Sequence, residues 1–111
     1  MEKQLATTLF ESLASGVRLD IYRLLVKNAP EGLVAGEIAT QLSLPATNLS
    51  FHLKALAQAG LVSVVQEGRY QRYRANLIVI QELIAYLTAE CCTGNPEQCF
   101  DGELAAECCK N

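Results

Sequence analysis

Leu49-Ser50-Phe51-His52-Leu53-Lys54-Ala55-Leu56-Ala57-Gln58-Ala59-Gly60-Leu61-Val62 decides how the rest of the chain is understood. Leu49, Leu53 and Leu56 recur at helical spacing, so one face of a helix is apolar, and Gly60 is well placed to end it. Just upstream, Ser43-Leu44-Pro45 makes a short turn, with Pro45 in the first helical turn, where a missing amide is harmless. A preceding helix over about residues 35–42 buries Ile38, Ala39 and Leu42. Two short helices joined by a tight turn, the second stopped by glycine, form a helix-turn-helix.

Downstream the period changes. Leu61-Val62-Ser63-Val64-Val65 and Tyr70-Gln71-Arg72-Tyr73-Arg74 are β-prone runs on either side of Glu67-Gly68, a dipeptide suited to a tight hairpin. A hairpin directly after such a helix is a wing. Helical spacing returns over about residues 77–89, where Leu77, Ile80, Leu83, Ile84 and Leu87 give a broad apolar face; Gly94 and Pro96 stop it. Towards the N-terminus, Leu5, Thr8, Leu9 and Leu13 predict a first helix over residues 4–13. Ser15 caps a second that carries Ile21, Tyr22, Leu24 and Leu25 and ends near Asn28-Ala29-Pro30. The expected fold is mainly α with a β-hairpin wing, a winged helix-turn-helix over residues 1–90, followed by a cysteine-rich tail over residues 91–111. The first and last helices carry more apolar surface than so small a domain covers, which predicts a homodimer through them.

A chain of 111 residues, 50% hydrophobic, holds one domain with one modest core. The start does not have the form of an export signal. The longest aliphatic run, Leu77-Ile78-Val79-Ile80, falls far short of the roughly 20 residues of a membrane span. A soluble, cytoplasmic protein is expected, with no membrane partner. One histidine, no nucleophile–base–orienter set and no glycine-rich phosphate loop argue against an enzyme. The net charge is -3, but residues 45–75 carry Lys54, Arg69, Arg72 and Arg74 against Glu67 alone, a local balance of +3 between acidic ends. Phosphate affinity follows the facing patch and not the total, so the middle of the chain is compatible with nucleic acid.

The run from Leu49 to Val62 resembles the ArsR/SmtB family of metal-responsive repressors. Glu67-Gly68-Arg69-Tyr70-Gln71-Arg72-Tyr73 and the opening Ala14-Ser15-Gly16-Val17-Arg18-Leu19 fit the same family. The resemblance spans about residues 5–90 and implies a winged-helix dimer that represses its own operon and is released by a bound metal or metalloid. Many arsenic-sensing members carry a cysteine–valine–cysteine motif in the third helix, which here has no cysteine. A subgroup instead has a Cys-Cys pair just past the last helix, a Gly/Pro-containing turn and another cysteine. Cys91-Cys92-Thr93-Gly94-Asn95-Pro96-Glu97-Gln98-Cys99 looks like that arrangement, so the resemblance implies trivalent arsenic, As(III), as inducer.

In a helix-turn-helix the N-terminal half of the second helix enters the major groove of double-stranded operator DNA. Here that half offers Thr47, Asn48, Ser50 and His52, with Asn48 the best base contact and Lys54 a phosphate contact. Phe51 either touches a thymine methyl or packs, and His52 is either DNA-facing or a satisfied surface histidine. Arg69 and Arg72 reach the DNA backbone or minor groove, or belong to a solvated hairpin tip.

All five cysteines, Cys91, Cys92, Cys99, Cys108 and Cys109, fall in the last 21 positions. An odd count without an export signal points to thiolate chemistry and away from a disulfide framework. Arsenic(III) takes three soft sulfur ligands, and Cys91, Cys92 and Cys99 supply them. Adjacent helical residues point about 100° apart, so chelation by Cys91 and Cys92 favours unwinding the last helical turn. Cys108 and Cys109 stand as extra ligands, substitutes or an idle tail. The same thiols suit antimony, cadmium or, less well, zinc; a disulfide switch and a metalloid buffer are the other readings.

Overall fold

Left-handed backbone closes both helices of the central pair. The computed structural model describes residues 1–90, so the five cysteines of the tail lie outside the described residues. α3 (Ala35–Leu42) ends where Ser43 takes φ 54° and ψ 45°, and α4 (Ala46–Gln58) is followed by Gly60 at φ 84°. Each end shows the paired hydrogen bonds of a Schellman motif. Leu44 N–H donates to Ala39 O and Ser43 N–H to Thr40 O; Leu61 N–H donates to Leu56 O and Gly60 N–H to Ala57 O. Pro45 is the N-cap of α4, one position earlier than its expected place in the first turn.

Before this pair come α1 (Lys3–Leu13) and α2 (Gly16–Lys27). The Ser15 hydroxyl accepts from Arg18 N–H at 3.4 Å, the expected N-cap of α2. After the pair, β2 (Val62–Glu67) and β3 (Tyr70–Ala75) form the wing, and α5 (Leu77–Thr88) closes the described residues. The hairpin pairs Glu67 with Tyr70, so its two-residue loop is Gly68-Arg69, shifted by one from the expected Glu67-Gly68. Gly68 takes φ 60° and Arg69 does not share the positive φ, the type II′ pattern with glycine first.

A third strand was not anticipated. β1 (Leu33–Val34) pairs antiparallel with β3, Leu33 opposite Tyr73 and Val34 opposite Arg72, giving the sheet order β1-β3-β2. Val34 is also the N-cap of α3, where its N–H donates to the Glu37 carboxylate at 3.1 Å. Gly32, at φ 76°, lets the chain pass against β3, because a Cβ there would strike the Tyr73 carbonyl oxygen.

The core is continuous across α1–α4 and the wing root. Leu9, Ile21, Leu25, Ile38, Leu49, Leu53, Leu56 and Leu61 are fully buried. Each such side chain contributes roughly 1.5–3 kcal/mol of transfer free energy. α5 joins this core mainly through Leu83, with Val79 and Ile80 half-buried; Ile78, Ile84 and Leu87 remain 67%, 56% and 57% exposed. Asn76 joins the start of α5 to the end of α4. Its side chain donates to Gly60 O at 3.0 Å, its N–H donates to Leu61 O at 2.8 Å, and its carbonyl accepts from the Tyr22 hydroxyl at 3.4 Å.

Candidate nucleic-acid interface

α4 is amphipathic in a way that leaves one polar stripe for a ligand. Leu49, Leu53 and Leu56 face the core, while Thr47, Ser50, Phe51 and Lys54 are exposed at positions three and four apart, on one side of the helix. Asn48 is exposed beside that stripe. Phe51, 65% exposed, is an aromatic ring on a polar surface with no core to fill.

His52 is half-buried and held from within the protein. Arg18, in the first turn of α2, donates its Nε–H to His52 Nδ1 at 3.2 Å. The same guanidinium carbon lies 5.9 Å from the centroid of the Phe51 ring, within the range of a cation–π contact. Phe51 and His52 meet edge to face at 5.5 Å. Arg18 was legible as part of the opening Ala14–Leu19 run but not as a site residue; its partner lies on another helix, 34 positions away.

The wing separates the two arginines expected there. Arg69 occupies the loop tip and is exposed. Arg72 lies in the body of β3, where its Nε donates to Glu67 Oε1 at 2.9 Å and its Nη1 to the Gly32 carbonyl at 3.4 Å. The hydrogen bond and charge of Glu67 raise the Arg72 pKa. Arg74, also on β3, donates to the Glu31 carbonyl at 3.2 Å. Among the described residues the tip is therefore the part of the wing with an uncommitted cation, and the sheet's other arginines tie the wing to the loop before β1.

Among the described residues no three His, Cys, Asp or Glu side chains converge to hold a metal ion. The expected ligands Cys91, Cys92 and Cys99, with Cys108 and Cys109, lie outside them. α5 stops at Thr88, one residue before the expected end; Ala89 is extended and Glu90 left-handed at φ 60°. α5 thus ends at Thr88, and the unwinding expected at Cys91 and Cys92 falls outside the described residues. No described helix is long and apolar enough to cross a membrane.

The helix-turn-helix domain family matches residues 13–65, from the end of α1 into β2. None of the curated proteins matches the chain. Among solved structures, HlyU from Vibrio cholerae N16961 is 31% identical, with 83% of this chain and 99% of that chain covered at a TM-score of 0.65. An ArsR-like transcriptional regulator from Rhodococcus sp. RHA1 is 27% identical over 93% of this chain and 89% of its own, at a TM-score of 0.69. The homodimeric winged helix-turn-helix DNA-binding domain of a possible ArsR-family transcriptional regulator from Mycobacterium bovis is 29% identical, covering 80% and 82%, at a TM-score of 0.62. With its helix-turn-helix, its wing and an overlap with these structures over 80% or more of its length, the chain belongs to the DNA-binding winged helix-turn-helix transcriptional regulators of the ArsR/HlyU type.

Proposed function

We propose that this regulator is a homodimeric repressor of its own operator, released when Cys91, Cys92 and Cys99 of the tail over residues 91–111 bind trivalent arsenic. The observation that carries the DNA half is the exposed stripe Thr47, Ser50, Phe51 and Lys54 on α4, backed by fully buried leucines. Asn48 beside the stripe reads base edges, Lys54 meets phosphate, and Arg69 at the wing tip reaches the backbone or minor groove. The Mycobacterium bovis domain is a homodimer, and the exposed Ile78, Ile84 and Leu87 of α5 offer an apolar surface for a dimer seam here.

The inducer half rests on donor chemistry. Three thiols within residues 91–99 suit a soft, three-coordinate centre better than zinc, which favours four closed ligands. Asn76 links α5 to the end of α4, so a change at the α5 seam has a short path to the recognition helix. A tenfold loss of DNA affinity needs only about 1.4 kcal/mol of coupling.

The test is fluorescence anisotropy on the DNA upstream of the protein's own coding sequence, titrated with arsenite under reducing conditions. Wild-type protein is expected to bind and then be released, while Cys91→Ser, Cys92→Ser and Cys99→Ser each bind and stay. Binding that ignores arsenite overturns the inducer. A second reading makes the tail a redox switch, in which two thiols give up two electrons and two protons to an oxidant and form a disulfide. It draws on the existence of a reduced form of the Vibrio cholerae HlyU among the similar structures. Release by hydrogen peroxide, reversed by dithiothreitol without any metalloid, selects it.

A further inference from the structure

We infer that Arg18 is a DNA-specificity residue, contacting a phosphate through its Nη groups while its Nε side sets the orientation of Phe51 and His52 on the recognition helix. The inference deepens the operator-binding reading and rests on α4 entering the major groove.

Arg18 is in the first turn of α2, half-buried, and touches α4 at two neighbouring side chains. Its Nε–H is committed to His52 Nδ1 at 3.2 Å, and its guanidinium carbon lies over the Phe51 ring, 5.9 Å from the centroid. The first contact commits the Nε–H and leaves the Nη groups. Its Nη groups donate to no other described residue, and no acidic side chain of the described residues forms an ion pair with it. A cation with an unshared bidentate edge, placed beside the groove-facing stripe, has the geometry that recognises a phosphodiester.

The second effect follows from rotamers. Phe51 is 65% exposed, so core packing does not fix its ring. The contacts that do are Arg18, 5.9 Å from the ring centroid, and the edge-to-face meeting with His52 at 5.5 Å. Because Nδ1 of His52 accepts from Arg18, Nε2 is the ring atom left to donate. Arg18 thus settles both the angle of Phe51 and which His52 atom is offered to a base edge or phosphate. A phosphate on the Nη edge and the ordered pair on the Nε side reinforce one another through a single rigid group.

The experiment is selection of bound sequences from a random double-stranded DNA pool, followed by affinity for the selected site between 50 and 200 mM salt, for wild type, Arg18→Gln and Arg18→Lys. Thermal unfolding by circular dichroism reports whether each variant folds. Wild type selecting no sequence overturns the operator-binding reading itself. Given a selected site, Arg18→Gln is expected to lower the slope of log K against log salt by about 0.9 per protomer. It is also expected to narrow the preference for the selected site over scrambled DNA by about tenfold, the scale of one lost base contact. Arg18→Lys, which keeps the charge without the fork, is expected to retain the slope and lose the preference. If either variant folds with wild-type slope and wild-type preference, the inference is overturned. A lowered melting temperature with slope and preference both unchanged marks Arg18 as merely structural and overturns it equally.

Discussion

Three residues with positive φ show how the cost of a side chain depends on its surroundings. At Gly60 a Cβ would meet nothing within 4 Å, so Gly60→Ala carries only the left-handed penalty. That is about 1 kcal/mol in urea denaturation. At Gly32 the same change also drives the Cβ into the Tyr73 carbonyl and the Arg74 side chain. Gly32→Ala is expected to cost about 3 kcal/mol, and equal losses at the two positions would refute this account. Ser43 is the converse case, a side chain already at φ 54°; Ser43→Gly should raise stability by about 0.5–1 kcal/mol. Gly60 was legible because glycine after a leucine-periodic helix has one common use. Ser43 was not, because serine does not announce left-handed backbone; a tight link between two helices is the only signal that one residue there must turn so sharply.

Among the elements, the helices were legible from their apolar period and the short strand was not. β1 is only Leu33–Val34, too brief for an alternating pattern, and its partners Tyr73 and Arg72 lie across two helices and half the wing. Pairing at that separation is a property of the assembled fold and leaves no local trace. On α4 the buried leucines followed from spacing; the candidate contacts were legible only as the helix's N-terminal half, with Phe51 and His52 left open, and the arginine reaching over from α2 was not legible. Lys54→Gln tests the stripe at this scale: with Lys54 on a phosphate, the salt slope falls by about 0.9 for each protomer and base preference stays as in wild type. A changed preference would move Lys54 from backbone to base contact. Asn76 is the joint between elements, and Asn76→Ala deprives the buried end of α4 of a side-chain partner. Its expected cost is about 1–2 kcal/mol by equilibrium unfolding.

At the scale of the whole molecule, α5 leaves the most large apolar side chains exposed among the described residues. Ile84 and Leu87 are both more than half exposed. Ile84→Glu with Leu87→Glu is expected to turn a dimer into monomers in sedimentation velocity while far-UV circular dichroism stays near wild type. Unchanged sedimentation would move the seam elsewhere. Stability against pH has a second whole-molecule signature. Burial raises the pKa of Tyr22 and Tyr73 above the ordinary 10.0, so both phenols favour the folded chain while protonated. Their contribution is complete below that value and disappears as pH rises through the raised folded pKa. The melting temperature should therefore fall in that alkaline window, and Tyr22→Phe should flatten the fall.

The two-residue strand has one more consequence. Leu33 and Val34 belong to the sheet that carries the wing and Val34 is also the cap that starts α3, so the wing is stitched into the helix pair at both ends of its sequence. A wing grafted from a relative as a hairpin alone, residues 62–75, would arrive without its third strand's matching register. Graft donors should bring their counterparts of residues 32–34 as well. The portable unit of this regulator is a discontinuous patch, and recombination that respects only chain continuity will cut through it.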